Sequence, residues 1–272
     1  MGMSAQIMRN ILSNWGSFAL GAIIQFMMMP FLVRHLGDTQ YGIWILIMSF
    51  TGFLGLFDFG VSGSVVKYVA EFKAKDDNEE LNRVCSSAFY MFVAAGIAVF
   101  LIAIVIALKF VHNFKIPAEE ISSARWVTAI IGFQIGLSLP LGFFTGFMRG
   151  MQRYDHVAGI SLAILIVRTV VTVALVLMGY RLVAIAITLV FSTLTAGAIR
   201  AVYVFRGNRR LRLKPAFINR DTLAMVGRYS FLLFIYYLAT RLVFSVGNLA
   251  ISTPRVKVWP FRNSLSTGQN IP

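Results

Sequence analysis

Between Tyr41 and Val66 the sequence runs for 26 residues with a single charged side chain, Asp58. About 20 consecutive apolar residues are what an α-helix needs to cross a bilayer, because only a fully hydrogen-bonded backbone tolerates the hydrocarbon core. A carboxylate inside such a run costs roughly 2.5–3.5 kcal/mol on insertion scales, so it is expected to face protein or water and not lipid. Steps of three and four residues place Thr51, Gly55, Asp58 and Ser62 on one stripe, with Leu, Ile and Phe opposite. The run reads as a transmembrane helix with a lipid face and a wet face.

The rest of the chain repeats this plan. Hydrophobic residues make up 58% of the 272, charged residues 13%, and the mean hydropathy is +0.75. Such a composition excludes a soluble globular domain. The fold class expected is all-α, a polytopic membrane protein of about seven transmembrane helices near 10–33, 41–66, 88–111, 126–148, 157–178, 182–205 and 223–251. These form one membrane domain, 1–251, followed by an irregular stretch, 252–272. The net charge of +14 is spread between apolar runs, which argues against nucleic-acid binding and for topology signals. One cysteine, Cys85, excludes an intramolecular disulfide and any multi-cysteine metal site. No Gly-x-x-x-x-Gly-Lys-Ser/Thr pattern occurs, so no nucleotide cofactor is expected. The first apolar run is too long for a cleavable signal and is expected to remain as helix 1.

Polar residues within the spans are the candidate functional groups. Asn10, Asn14, Ser17, Gly21 and Gln25 recur along one side of helix 1, either to pack against a neighbour or to line a cavity. Gln134, Ser138 and Thr145 share a side of helix 4, with Pro140 as a kink. Arg168 lies at the centre of helix 5 beside Ser161 and Thr172, and Arg241 lies in helix 7 beside Tyr237, Ser245 and Asn248. A permanently charged guanidinium at that depth needs a partner or an aqueous cavity. Arg168, Arg241, Gln25, Asn14 and Gln134 are therefore the candidate cavity residues. Asp58 has two readings, an ion pair with Arg168 or a titrating group that couples transport to a proton or sodium gradient. Helix 3 holds almost no polar side chains and is expected to be the most lipid-exposed span. Lys67–Arg83 reads as a solvated interfacial stretch whose acids are a charge run and not a metal site.

With the N-terminus cytoplasmic, most lysines and arginines fall inside, above all in the 206–220 loop, against Arg34, Lys109, Lys115, Arg125 and Arg181 outside. The positive-inside rule selects that orientation. After Ile251 the helical period stops, which suggests a frame truncated near that point.

The Pro30 end of helix 1, Arg34-His35-Leu36-Gly37, Tyr41-Gly42, Asp58-Phe59-Gly60 and Lys67-Tyr68-Val69-Ala70-Glu71 together resemble bacterial polysaccharide biosynthesis membrane proteins. These are the Wzx-type oligosaccharide flippases of the multidrug/oligosaccharidyl-lipid/polysaccharide exporter superfamily. The resemblance implies the N-terminal lobe of a MATE/MurJ-like two-lobe transporter in the bacterial inner membrane. It implies flipping of undecaprenyl-pyrophosphate-linked oligosaccharide for O-antigen, capsule or exopolysaccharide synthesis, without enzymatic chemistry. Membrane lipid, the lipid-linked oligosaccharide and other polysaccharide-assembly membrane proteins are the implied partners. The competing readings are cation-coupled multidrug efflux, which favours acidic and aromatic cavities, a membrane glycosyltransferase, which needs larger loops or an acid/base pair, and an inactive fragment.

Overall fold

A computed structural model describes the backbone over residues 3–54, 58, 60–110 and 116–252, and the side chains over 15–49, 58, 60–109, 116–240 and 243. The described residues are mostly helical, with short turns and no strand among them. They form α1 (Met3–Leu54), α2 (Val61–Ala74), α3 (Asn78–Val105), α4 (Ile121–Gly150), α5 (Tyr154–Leu177), α6 (Leu182–Gly207) and α7 (Arg220–Ser252). Six stretches among them are long and apolar enough to cross a membrane, and Trp15–Ser49 counts as one although the helix breaks inside it. The break is at Gly37, whose φ of 76° and ψ of 166° lie outside the helical region. The arm before it packs on α5, where Gly21 meets Leu165. The arm after it places Ile43 and Ile47 in a core with Ala124, Val127, Leu182 and Ala186. The tail 252–272 proposed as frameshifted lies, from residue 253, outside the described residues.

The stretch 67–83 is amphipathic, as its charges suggest: α2 continues to Ala74 with Tyr68, Val69 and Phe72 buried and Lys67, Ala70 and Lys73 exposed, and α3 starts at Asn78. Lys75–Asp77 makes the exposed turn, and Asp77 caps α3 by accepting from Glu80 N at 3.0 Å. One reading is corrected: α3 is not the most lipid-exposed helix. It is packed along its length against α4, while α1 and α5 carry strongly exposed apolar side chains such as Phe26, Met27 and Val170. A scarcity of polar groups does not mean lipid contact, because small residues let two apolar helices meet closely.

That close meeting is built by glycine. A Cβ on Gly136 of α4 would lie 2.6 Å from the carbonyl oxygen of Gly96 in α3, so the two backbones touch. On other sides of α4, Gly150 sits against Val69 and Val66 of α2, and Leu141 fills the space above Gly197 of α6. Phe143 and Phe147 are fully buried beside Phe92, Val84 and Val204. At the far end, Glu120 Oε1 accepts from Gln40 Nε2 at 2.9 Å and pairs with Arg181 Nη1 at 3.3 Å, tying α1, α4 and the α5–α6 turn. The α2–α3, α4–α5 and α6–α7 connections share the opposite end, which is rich in Lys and Arg.

At that basic end the α6–α7 connection is strapped to α3. Asn82 Nδ2 donates to Arg210 O at 3.1 Å, and Arg212 N donates to Asn82 Oδ1 at 2.8 Å. Ser86 Oγ donates to Arg212 O at 3.2 Å and accepts from Lys214 N at 3.2 Å. The match is geometric: one helical step of four residues rises ~6 Å, and two extended residues span ~6.6 Å.

Gly136→Val is expected to destabilise the protein by roughly 1–3 kcal/mol through overpacking. Gly159→Ala, at a helical position with open space around it, is expected to be neutral or slightly stabilising. Unfolding midpoints of both variants in a denaturing-detergent titration check this. Equal midpoints would remove the α3–α4 contact as the basis of the packing.

Candidate functional site

α2 starts at Val61 directly after Gly60, so the second span is broken at Gly60 where the sequence reading had one continuous helix. Gly60 occupies the left-handed region at φ 74°, with Ser230 O of α7 2.6 Å from where a Cβ would be. Only glycine meets both demands. Next to it, the Asp58 carboxylate accepts from Ser62 N at 3.2 Å and Ser62 Oγ at 2.9 Å. This is the placement of a helix cap: an anion satisfying a free N–H at the start of α2, where the helix dipole favours negative charge. The postulated Asp58–Arg168 ion pair does not form. Asp58 is bonded to Ser62 instead, and Arg168 makes no hydrogen bond or ion pair among the described residues.

Ser62 also lines a cavity of about 1110 Å³ between α1, α2, α4, α5, α6 and α7. Its wall on α4 is one stripe, Ser138, Gly142, Thr145 and Arg149, on a side not used by α3. α5 contributes Tyr154, Ser161 and Arg168, α6 contributes Ser192, Thr193 and Arg200, and α7 contributes Tyr229 and Tyr237. Among the described residues, three arginines and no carboxylate line this space. They are graded in depth. Arg149 is in the last turn of α4, at the basic end. Arg200 precedes the α6 terminus Gly207 by seven residues and Arg168 follows the α5 start Tyr154 by fourteen, ~10 Å and ~21 Å along their helices at ~1.5 Å per residue.

Arg200 Nη2 donates to Ser161 Oγ at 2.7 Å, while its buried Nε has no hydrogen-bond partner. Arg149 lines the same space as Arg200. At the mouth, Lys67 Nζ lies 4.3 Å from the Tyr229 ring centroid. A space that holds like charges together with donors left open, in a low dielectric, is suited to an anion with several acceptor oxygens.

Of the residues singled out in the sequence, Arg168 lines the cavity, and Gln134 stands behind its wall and donates from Nε2 to Thr193 Oγ1 at 2.8 Å. Gln25 is exposed on α1 and is not part of the wall. The side chains of Asn14 and Arg241 lie outside the described residues. Sequence reasoning missed Arg149, Arg200, Tyr154 and Tyr229. Arg149 and Arg200 fall near helix ends, where they pass for topology signals. The clue was their step pattern: Arg149 continues the Ser138–Thr145 stripe at intervals of three and four.

Comparison with known proteins agrees with this architecture. A Shigella flexneri protein assigned as an O-antigen transporter is 22% identical over 151 residues, 56% of this chain and 36% of that protein. Among solved structures, a MOP superfamily transporter from Pyrococcus furiosus, described as having a binding pocket of reverse polarity, superposes with a TM-score of 0.69 at 13% identity. It covers 90% of this chain and 55% of the other. An outward-facing multidrug resistance MATE family transporter gives 0.67 at 13% identity, over 92% and 58%. At these identities the structural likeness speaks for the fold alone, and the chain spans about a third to three fifths of the lengths of these proteins. The model of one family, described as polysaccharide biosynthesis protein, matches residues 7–253, and to that family of multi-pass membrane proteins, with the helical fold of MOP superfamily transporters, this chain belongs.

Proposed function

We propose that the chain forms the cation-lined wall of a route by which undecaprenyl-pyrophosphate-linked oligosaccharide crosses the bacterial inner membrane, for O-antigen, capsule or exopolysaccharide synthesis. The carrying observation is the graded set Arg149, Arg200 and Arg168 in a cavity with no lining carboxylate among the described residues. A pyrophosphate has the charge and acceptor oxygens those guanidinium groups call for, and hydroxyls such as Ser138, Thr145 and Ser192 suit a glycan. The prenyl chain stays in lipid beside the exposed apolar faces. Such a task moves its substrate without changing a bond, so no catalytic residue is required. The N-terminus is placed in the cytoplasm, with the basic connections. Membership in the polysaccharide biosynthesis family supports this reading over drug efflux, and so does the sign of the wall, since cationic drugs would be repelled from it.

Asp58 has a second part in this reading. It caps α2 and touches the wall through Ser62, so a change in its protonation would alter both the helix break and the cavity. We assign it coupling to a proton or sodium gradient.

Two measurements test these statements. The purified chain in lipid nanodiscs is expected to bind undecaprenyl-pyrophosphate-linked oligosaccharide, and Arg168→Gln and Arg200→Gln each to weaken it by about tenfold or more, since a hydrogen bond to a charged group contributes ~1.5–3 kcal/mol. Unchanged affinity in both variants, or tighter binding of the cationic dye ethidium than of the diphosphate lipid, sinks the proposal. Asp58→Asn keeps an acceptor oxygen for Ser62 and removes the ionisable group. It is expected to bind substrate but to lose the dependence of binding on pH or sodium that the parent chain shows. A parent and variant with the same dependence would leave Asp58 as a cap only.

A further inference from the structure

At the basic end, apart from the cavity and sharing no residue with it, lies a recess of about 420 Å³ lined by Lys73, Asp76, Asn82, Arg206, Arg209 and Arg210 around Leu81 and Leu211. Four cations face one carboxylate there. The other acids nearby are already engaged: Glu71 with Lys75, and Glu79 and Glu80 with Arg83. None of Lys73, Arg206, Arg209 and Arg210 makes an ion pair among the described residues. The recess is also built and not merely a loop surface, because the Asn82 and Ser86 strap fixes the backbone that carries Arg209 and Arg210. Leu81 and Leu211, both buried, form an apolar floor. Within a turn of Arg206, α6 turns Val202 and Phe205 outward, 50% and 41% exposed, so an apolar track leads away from the recess along the helix.

A cationic pocket with an apolar track leaving it along a membrane helix matches an amphiphile whose anionic group sits at the helix ends. We propose that this recess binds the phosphodiester headgroup of an anionic phospholipid, with its acyl chains along Val202 and Phe205. The track selects a lipid over a free phosphate, which would use the cations and leave the apolar surface bare. The inference stands whether or not the cavity carries a glycan lipid.

Native mass spectrometry of the purified chain, with phosphatidylglycerol and phosphatidylcholine offered at equal concentration, tests it. The chain is expected to retain phosphatidylglycerol preferentially. Replacing Arg206, Arg209 and Arg210 with Gln should lower that retention by about tenfold or more, at ~1 kcal/mol per basic residue near the lipid. Replacing Arg212, Lys214 and Arg220 with Gln removes the same charge from the same end outside the recess and should lower retention clearly less than the first triple variant, because these residues act only through a screened field and do not line the recess. Asp76→Asn should raise retention, and it suits the fold, because residue 76 has φ 52° and Asn adopts that region as readily as Asp. Equal loss in both triple variants would mean diffuse surface charge and overturn the site. Displacement of the lipid by inorganic phosphate at matched concentration would assign the recess to free phosphate and overturn the lipid. If the first triple variant does not fold, Asp76→Asn decides alone: no rise in retention overturns the proposal.

Discussion

Backbone contact between Gly96 and Gly136 is the constraint from which the arrangement of this lobe follows. Lipid tails are as apolar as leucine, so helices in a membrane gain little from hiding apolar surface against each other and must hold by close packing. Without side chains at these two positions α3 and α4 come together directly, and α4 then offers its remaining sides to α2 through Gly150 and to α6 through Leu141. One stripe of α4 is left over. It is this leftover stripe, Ser138 to Arg149, that becomes cavity wall. The polar wall is thus a by-product of where the glycines are spent.

The wall sets one electrostatic problem and does not solve it internally. Arg168 has no partner among the described residues, and Arg200 satisfies one nitrogen on Ser161 while Nε stays open. Asp58, the acid best placed by depth to neutralise them, is committed to the start of α2. A lobe folded this way keeps its positive charge available, at the cost of requiring water or an anion in the cavity.

The sequence carried the all-helical class and the membrane setting, and it singled out Arg168, which lines the cavity, since each rests on a local pattern of polarity in an apolar run. What it did not carry depends on contacts between distant segments. The break at Gly60 hides within an apolar stretch, and only the approach of Ser230 and Leu233 to Gly60 shows why glycine stands there. Likewise α3 reads as lipid-facing because it lacks polar groups, whereas its burial is decided by glycines and alanines that polarity scales ignore. Arg149 and Arg200 were legible as charges but not as site residues, because a basic residue near a helix end has an ordinary explanation in topology. Gln25 shows the converse: a polar side chain on the same stripe as Ser17 that is exposed and takes no part in the wall.

The strap on α3 has a consequence for how the chain meets a protease. Trypsin needs several residues of extended, unpaired backbone around a lysine or arginine, and the 206–220 connection is the most arginine-rich segment that emerges from the membrane helices. Yet the peptide groups of Arg210, Arg212 and Lys214 are bonded to Asn82 and Ser86. Cleavage there must wait for local unfolding of the strap, so its rate reports the opening of the α3 start and not the exposure of the basic side chains.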